Sequence, residues 1–359
     1  MTRATTPSLF DLPPWLASLA HSRPEYLLVL TDPTAGLLGF LAIDDTRLGP
    51  AAGGIRTRRY ACTEDALEDA LRLSRAMTIK CALAGLDAGG GKLVLIDHPG
   101  LDRQRAFGII GRRIEKLGGL FRTAGDLGTR AEDLAAVARH TQFVHTDEAG
   151  LAAAVARGLL RAVEACCAIR DHRALEPGRS LTGLRVAIQG AGAIGAAAAR
   201  ALASAGAEIT IADLDAARAE AVARPIAARV VSPEAILFED VDVIAPCAVG
   251  GVIDEGAVPK IRAWAISGAA NNILAGPATA DLLSARGVLH VPDPIVSAGA
   301  VIDGIGRSVM GLADPTPLID RLGPTAYQVL AESKAEGRAA ERVAVEIAER
   351  RLAGADRAP

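Results

Sequence analysis

The sequence has few cysteines and no strong excess of charge of either sign. Its 359 residues include five cysteines and carry a formal net charge of −3 at pH 7. Because the cysteines are odd in number and scattered, a disulfide framework is not expected. No spacing of cysteines and histidines is typical of a zinc site. A mildly acidic chain also lacks the basic surface that nucleic acids require, so we expect neither a metal ion nor a nucleic-acid partner.

Long apolar runs are lacking as well. No uninterrupted stretch reaches the roughly 20 residues with which a helix crosses a bilayer. The opening residues, MTRATTPSLFDLPPWLASLA, lack the basic and apolar regions of a signal peptide, and no charged tail points to a membrane surface. The sequence therefore predicts a cytoplasmic protein without a membrane partner. Its length suits one large or two ordinary globular domains.

The sequence consists of two halves with different periodicity. In the first half, the pattern predicts a hairpin at 25–45, a helix at 63–80, a strand at 92–96 and a helix at 102–117. From LRVAIQG onward, apolar strands of about five residues alternate with helices, which is typical of a parallel, doubly wound sheet.

We accordingly predict an α/β protein with two domains. The first, over 1–150, is an α/β domain. The second, over 151–314, is a Rossmann-type, doubly wound domain. The remaining residues, 315–359, are predicted to be helical and amphipathic.

A glycine-rich turn opens the second domain. The stretch VAIQGAGAIGAAAA places the pattern G-x-G-x-x-G between a strand and a helix, and a second strand ends about twenty residues later in an aspartate. In this pattern the first glycine makes the turn, the second lets a pyrophosphate approach, and the third lets helix and sheet pack closely. The alternative is a set of packing glycines in an ordinary strand–helix unit. The dinucleotide interpretation predicts cofactor contacts from Gly190, Gly192, Ala193, Ile194, Gly195 and Asp213.

The strand end at Asp213 bears on the choice of cofactor. A carboxylate there can accept hydrogen bonds from ribose hydroxyls and would repel a 2′-phosphate. The nearest downstream arginine, Arg218, falls inside LDAARA rather than at the strand end, so NAD is favoured over NADP. Two further segments, APCAVGG and GAANN, follow strands on the edge that faces the ligand. Their candidate cofactor residues are Cys247, Ala248, Asn271 and Asn272, although the two asparagines could equally be turn residues.

Two lysines and an aspartate stand out in the first half. Lys92 follows three glycines in AGLDAGGGKLVLID and opens an apolar run, although burying an unpaired ammonium is costly. One lysine could hold a substrate carboxylate, while a second, desolvated lysine could act as a general base. Asp126 in TAGDLGT could move a proton, and the N–H groups of Gly53 and Gly54 could face an anion. Taken singly, Lys80 could instead be a helix-end charge, Lys92 a snorkelling side chain and Asp126 an N-cap.

Together, several blocks resemble the glutamate/leucine/phenylalanine/valine dehydrogenase family, closest to its leucine and valine branch. They keep their order over about residues 25 to 310: LGPAAGGIR, EDALRLSRAMTIKCALAGLDAGGGK, TAGDLGT, GAGAIG, DVIAPCAVGGVI, ISGAANNIL and VPDPIVSAGAVI. The resemblance implies reversible oxidative deamination of an L-amino acid to a 2-oxo acid and ammonia, with NAD as hydride acceptor. It also implies a homo-oligomer, whose first domain binds substrate and is joined by the C-terminal helix, with a cleft between the two domains.

The resemblance also implies roles for individual residues. Lys80 would bind the substrate carboxylate together with the N–H groups of Gly53 and Gly54. Lys92 would activate water, and Asp126 would exchange a proton with the amino group. The three glycines would then let substrate and backbone crowd against Lys92.

Three positions depart from the family pattern. Ser297 stands where relatives carry asparagine, and Leu151 stands where a threonine lies near the nicotinamide. Ala52 stands where leucine is common and would enlarge the side-chain pocket. We therefore expect Ala52 and Ser297 to contact a substrate that differs from the common branched-chain ones. The alternative function is that of a non-catalytic, NAD-binding regulatory protein.

Overall fold

The computed structural model describes residues 23–147 and 149–355, so the opening stretch tested for a signal peptide lies outside the described residues. The described chain divides into two compact units. The first runs up to Cys81 and resumes over Asp87–Asp147, while the short stretch Ala82–Leu86 groups with the residues after the division. The division falls within three residues of the predicted boundary at 150.

The first unit contains a mixed, six-stranded sheet with the order β1-β2-β5-β3-β6, and β4 also pairs with β5. The β1–β2 pair is the antiparallel hairpin that the alternating sequence predicted. Strand β5 is antiparallel to β2 but parallel to β3 and β4. The strands are β1 (Tyr26–Asp32), β2 (Leu37–Asp45), β3 (Ala51–Ala52), β4 (Ile55–Arg58), β5 (Gly89–Ile96) and β6 (Phe121–Arg122).

Helices cover both faces of this sheet. The helices are α1 (Thr63–Ala84), α2 (Arg103–Lys116) and α3 (Ala131–Ala138). Because successive residues of a strand point to opposite faces, Val94 packs against α1 residues such as Leu71 while Leu93 packs against α2. The helix predicted at 102–117 is confirmed, and Asp102 caps it by accepting a hydrogen bond from the Arg105 N–H at 3.1 Å.

The second unit contains a fully parallel sheet with the order β12-β11-β10-β7-β8-β9. The chain steps outward from β7 in one direction and then, from β10, in the other, which is the doubly wound order of a Rossmann-type domain. This confirms the predicted fold class. The strands are β7 (Arg185–Gln189), β8 (Glu208–Ala212), β9 (Arg229–Val230), β10 (Val243–Pro246), β11 (Ala265–Ile266) and β12 (Leu289–His290).

The helices of the second unit begin with a long, mostly buried helix, α4, that precedes the sheet. Shorter helices connect the strands, and four further helices follow the last strand before the C-terminal one. They are α4 (Leu151–Arg170), α5 (Ala193–Ser204), α6 (Ala216–Ala223), α7 (Pro277–Ala285), α8 (Asp293–Val296), α9 (Gly299–Ser308), α10 (Thr316–Asp320), α11 (Leu322–Glu336) and α12 (Ala340–Ala355).

The C-terminal helices differ from the sequence-based assignment to the first domain. In the structure they group with the second unit, because α10 and α11 pack on α4. Arg157 and Arg161 of α4 both donate to Asp320 of α10, at 2.6 and 2.8 Å. In the last of these C-terminal helices, α12, Arg351 donates to the Leu86 carbonyl oxygen at 2.9 Å. This contact accounts for the grouping of Ala82–Leu86 with the second unit.

Three further features concern the described part of the chain only. No helix there is long and apolar enough to span a membrane. No group of three or more histidine, cysteine, aspartate or glutamate side chains there could hold a metal ion. All five cysteines are free thiols.

The contact between His290 and Glu341 ties α12 to the edge strand β12. Burial lowers the pKa of His290, but the Glu341 carboxylate outweighs it, so this pKa lies above its usual value of 6.5. Stabilisation by the charged histidine is therefore complete below about pH 6.5 and is lost as the pH rises through the raised pKa.

We expect hydrogen exchange in α12 to speed up between about pH 6 and pH 8.5, after correction for intrinsic exchange rates. Glu341→Gln should remove this pH dependence because the raised histidine pKa depends on the carboxylate. Equal protection of α12 at both pH values in the unmodified protein would contradict this role.

Candidate functional site

Three glycines lie inside strand β5, which begins three residues before the predicted strand. A Cβ on Gly89 would lie 1.7 Å from the Asp45 carbonyl oxygen, and one on Gly90 would lie 2.2 Å from the Thr78 nitrogen of α1. The sequence predicts that substrate and backbone crowd together at these glycines. In the structure the crowding groups belong to the protein itself, because side chains here would push β2 and α1 away from β5.

Lys92 points to the face of the sheet that α1 covers, the same face as Gly90 and Val94. Its side chain is 7% exposed, and its Nζ lies 2.8 Å from Asp126 Oδ2. Burial lowers the pKa of Lys92 most strongly, Asp126 opposes that effect, and the Arg56 guanidinium adds to the lowering. The net result is a buried amine that gives up its proton more easily than an ordinary lysine.

Asp126 lies in the turn after β6 and is not a helix N-cap, since α3 begins only at Ala131. Its Oδ2 accepts hydrogen bonds or ion pairs from Lys92 Nζ and Arg56 Nε, both at 2.8 Å. Burial raises the pKa of Asp126, but the two cations outweigh it and hold this pKa below its usual value. The carboxylate is therefore ionised at neutral pH.

Arg56 and Asp69 belong to this cluster, although no sequence motif singles them out. Arg56 Nη1 lies 3.2 Å from Asp69 Oδ2 in α1, and the Tyr60 hydroxyl donates to the same oxygen at 2.7 Å. A signal was present in the sequence. Arg56 on β4 lies two residues after Gly54, so the two residues point to the same face of the sheet. Arg56 also pairs in register with Val94, which lies on the same face as Lys92.

Lys80 lies four residues before the end of α1, so it is not a terminal helix charge. It is partly exposed. Eleven residues separate Lys80 from Asp69, which is close to three helical turns and places both on one side of α1. The structure thus brings Lys92 and Asp126 into contact and places Lys80 on the helix that covers the same face.

The three residues before β4 are Ala52, Gly53 and Gly54, and the Gly53 N–H differs from its predicted role. The Gly53 N–H donates to the Arg122 carbonyl oxygen at 3.0 Å, so in this structure it does not face an anion. A Cβ on Gly54 would lie 2.7 Å from the Gly125 carbonyl oxygen, so this position also requires glycine. Ala52 is 1% exposed and is enclosed in β3 between β5 and β6.

The register of neighbouring strands places four residues in one row across the face of Lys92. They are Lys92, Gly54, Ala124 and His145. Neighbouring strands lie about 4.8 Å apart, so His145 is roughly 14 Å from Lys92. Gly54, Ala124 and His145 are partly exposed. Within the described residues, His145 Nε2 and Arg122 Nε are buried and have no hydrogen-bond partner.

In the second unit, the glycine-rich turn has the geometry that the pattern predicted. Gly190 has a φ of +102°, and its N–H donates to the Ala212 carbonyl oxygen at 2.7 Å. A Cβ on Gly195 would lie 1.9 Å from the Gly190 carbonyl oxygen. Both positions therefore require glycine, the first for its backbone angle and the second for close helix–strand packing.

The start of α5 is open on its outer side. A Cβ on Gly192 would meet no atom within 4 Å, and Gly192 and Ala193 are exposed while Ile194 is partly exposed. The first N–H groups of a helix have no partner within the helix and attract anions. This turn therefore fits a pyrophosphate at the positions that the sequence predicted.

Asp213 lies beside this turn at the end of β8. Its Oδ2 accepts a hydrogen bond from the Ala191 N–H at 2.7 Å, and its Oδ1 accepts one from the Asp215 N–H at 2.9 Å. These bonds, with that of Ala191 first, lower the pKa of Asp213. Arg218 was expected to lie away from the strand end, but its Nη1 is 3.9 Å from Asp213 Oδ1.

The two segments after β10 and β11 meet at the same edge of the sheet. Ala248 lies against Gly190, since a Cβ on that glycine would be 2.8 Å from the Ala248 Cβ. The Cys247 N–H donates to the Gln189 carbonyl oxygen at 2.8 Å, and desolvation raises the pKa of its thiol to about 11. Cys247 is therefore a neutral packing thiol near the turn.

Asn271, Asn272 and Ser297 lie in two turns that Asp293 connects. Asn271 and Asn272 are exposed. Asn272 has a φ of +53°, its carbonyl oxygen accepts a hydrogen bond from the Gly251 N–H at 2.7 Å, and its N–H donates to Asp293 Oδ2 at 3.1 Å. This geometry favours the turn interpretation for Asn272. Ser297 is 8% exposed, and its Oγ donates to the Asp293 carbonyl oxygen at 2.6 Å.

Two family models match the chain. Residues 29–143 match the model described as Glu/Leu/Phe/Val dehydrogenase, dimerisation domain, and residues 210–303 match the model described as Glutamate/Leucine/Phenylalanine/Valine dehydrogenase.

Individual relatives cover most of the chain. The leucine dehydrogenase of Geobacillus stearothermophilus is 38% identical over 289 residues, which are 78% of this chain and 77% of that protein. The phenylalanine dehydrogenase of Lysinibacillus sphaericus is 36% identical over 290 residues, which are 77% and 75% of the two chains. The crystal structure of L-tryptophan dehydrogenase from Nostoc punctiforme is similar with a TM-score of 0.85 and 30% identity, and the match covers 96% of this chain and 100% of that one.

Proposed function

Because the chain belongs to the glutamate/leucine/phenylalanine/valine dehydrogenase family, we propose that it catalyses the reversible, NAD-dependent oxidative deamination of an L-amino acid to a 2-oxo acid and ammonia. The observation that carries this function is the buried contact between Lys92 Nζ and Asp126 Oδ2 at 2.8 Å. A desolvated amine beside a carboxylate is the kind of acid–base pair that such a reaction requires.

Each group has a distinct task in this proposal. Lys80 holds the substrate carboxylate as a fixed cation. Lys92, once neutral, takes a proton from the water that adds to the oxidised α-carbon. Asp126, ionised at the start, takes a proton from the substrate ammonium group and returns it to the nitrogen when ammonia leaves. The glycine-rich turn at Gly190, Gly192 and Gly195 would hold NAD, which would supply the hydride acceptor for the α-carbon. The residues of this chain supply binding, orientation and proton transfer.

The glycine-rich turn supports NAD as the cofactor. The open helix N-terminus after Gly192 suits the pyrophosphate, and Asp213 suits the ribose hydroxyls. Arg218 offsets part of the negative charge of Asp213 because it lies close to it. The Asp213 carboxylate still repels the 2′-phosphate of NADP.

A non-catalytic NAD-binding protein is the other function that the sequence left open. The charges of the first unit argue against it, because a binding protein gains nothing from a lysine desolvated beside an ionised aspartate. The relatives that cover three quarters of the chain are named as dehydrogenases.

We also propose that the protein is a homo-oligomer that assembles through its first unit. The family model over residues 29–143 is described as a dimerisation domain. Strand β1 lies at the edge of the first sheet, and its residues Tyr26 and Val29 are about half exposed. An exposed apolar edge strand is a surface that a second copy of the chain can cover. The cytoplasmic location stays a prediction.

The proposed substrate has a larger or more polar side chain than valine or leucine. In the row between Lys92 and His145, Gly54 has no side chain and Ala124 has a small one. At the far end, the buried and unpartnered nitrogens of His145 and Arg122, within the described residues, suit a substrate with a hydrogen-bonding group. The similarity to a protein named L-tryptophan dehydrogenase is consistent with a bulky side chain.

Lys92→Ala should abolish turnover while the protein stays folded and binds NADH, since loss of a general base costs on the order of a hundredfold or more. Lys80→Ala should instead raise the Michaelis constant for the 2-oxo acid. Steady-state kinetics and NADH fluorescence titration measure the two effects. If Lys92→Ala kept activity within a few-fold of the unmodified enzyme, Lys92 would not be the general base. If Lys80→Ala left the Michaelis constant unchanged, Lys80 would not bind the substrate carboxylate.

The cofactor prediction rests on Asp213. NADH should be used far better than NADPH, because the carboxylate repels a 2′-phosphate, and Asp213→Ser should narrow the difference. The ratio of kcat/KM for the two cofactors measures this preference. If the unmodified enzyme used both cofactors equally well, the assigned role of Asp213 would be wrong.

A panel of 2-oxo acids tests the reaction and its substrate in one assay. NADH oxidation with ammonia should be slow on 2-oxoisovalerate and 2-oxoisocaproate and faster on phenylpyruvate, indole-3-pyruvate or a polar 2-oxo acid. His145→Ala should lower kcat/KM most for the preferred substrate, whereas His140→Ala, an exposed control, should leave it unchanged. No turnover on any member would refute the reaction, and efficient turnover of the branched-chain acids would refute the proposed substrate class.

A further inference from the structure

The Lys92–Asp126 pair continues into a chain of alternating charges. Arg56 Nε lies 2.8 Å from Asp126 Oδ2, and Arg56 Nη1 lies 3.2 Å from Asp69 Oδ2. Beyond Asp69, Arg72 Nη2 lies 2.6 Å from its Oδ1 and is half exposed. Arg56 is therefore the link between the proposed proton-transfer pair and an anchor on α1.

The two oxygens of the Asp126 carboxylate have different surroundings. Oδ2 is the oxygen that lies closest to both cations, at 2.8 Å from Lys92 Nζ and 2.8 Å from Arg56 Nε. The Asp126 side chain keeps 22% of its surface exposed, against 14% for Arg56 and 7% for Lys92. Oδ1 is thus the oxygen that can meet a substrate nitrogen, while Oδ2 is held by the protein.

We propose that Arg56 is a positioning residue of the reaction. It holds Asp126 by Oδ2 so that Oδ1 exchanges the proton, and its charge keeps Lys92 from staying protonated. This inference rests on the proposed function of Lys92 and Asp126. Without Arg56, the carboxylate loses one of the two cations that hold Oδ2, so either oxygen can turn toward the Lys92 ammonium. A carboxylate turned in this way no longer faces the substrate.

The charge of Arg56 has a second effect. Asp126 stabilises the protonated form of Lys92, and a cation on the same carboxylate oxygen weakens that stabilisation. Asp69 acts in the opposite direction, since its negative charge favours protonated Lys92. The charged or titratable groups around the Lys92 amine are Arg56 from β4, Asp126 from the turn after β6, Tyr60 from the segment after β4, and Asp69 and Arg72 from α1, with Lys80 further along that side of α1.

The test compares Arg56→Gln, Arg56→Lys and Asp69→Asn by the pH profile of kcat/KM for deamination, where activity falls on the acid side as Lys92 becomes protonated. Arg56→Gln should lower kcat by about tenfold to a hundredfold and move the acid limb to higher pH. Asp69→Asn should move the limb to lower pH. Arg56→Lys keeps the charge but cannot hold both aspartates with one nitrogen, so kcat should fall while the limb stays in place.

Arg59→Gln is the matched control, because Arg59 is an exposed arginine only three residues after Arg56, so this change removes the same charge. Its profile should coincide with that of the unmodified enzyme. Opposite movements of the acid limb in Arg56→Gln and Asp69→Asn support the proposal, since general damage to the fold would not change sign. A limb in the same place in all variants, or movement in the same direction in both, would overturn it.

A second measurement does not need turnover. The chain contains five lysines, so competitive labelling with trace acetic anhydride and mass spectrometry can follow the neutral fraction of the Lys92 amine against pH. Arg56→Gln should make Lys92 less reactive at a given pH, and Arg59→Gln should not. If the unmodified protein turns over no 2-oxo acid, the proposed function fails, while the labelling result still decides the effect of Arg56 on Lys92.

Discussion

The first unit depends on the carboxylate of Asp126, which lies between the buried Lys92 and the largely buried Arg56. Lys92 and Arg56 come from different strands, and burying either charge without a partner would cost several kcal/mol. Because both donate to one oxygen of Asp126, the turn after β6 must close over β4 and β5. The same contact that makes a buried lysine tolerable also keeps the carboxylate ionised.

The sequence predicted this pair but not its surroundings. Lys92 and Asp126 follow from short motifs, because each motif has an unusual residue beside glycines. Arg56 and Asp69 escaped selection because their pairing depends on the register of β4 against β5 and on the packing of α1 over that face. The glycines before Lys92 were correctly recognised as unusual. Their cause lies in contacts with β2 and α1, which no local pattern reveals.

In the second unit, most of the fold was predictable. Alternating strands and helices admit few connected parallel sheets, and the glycine-rich turn fixes where the first strand meets its helix. The position of Arg218 was not predictable, because it depends on how a short loop leads from Asp213 into α6. The amphipathic C-terminal residues show that one helix face is buried, but not which surface covers it. The two arginines of α4 that bind Asp320 decide that question in favour of the second unit.

The row of residues between Lys92 and His145 also limits how the protein can diverge. At Gly54 and at the three glycines of β5, any side chain would collide with backbone atoms or with the Phe121 ring. Substitutions at these positions are therefore not tolerated. Ala124 and His145 are partly exposed and carry side chains that can change in size or polarity. Descendants or laboratory libraries that acquire a new substrate range would therefore accumulate replacements at these two positions, while the surrounding glycines stay invariant.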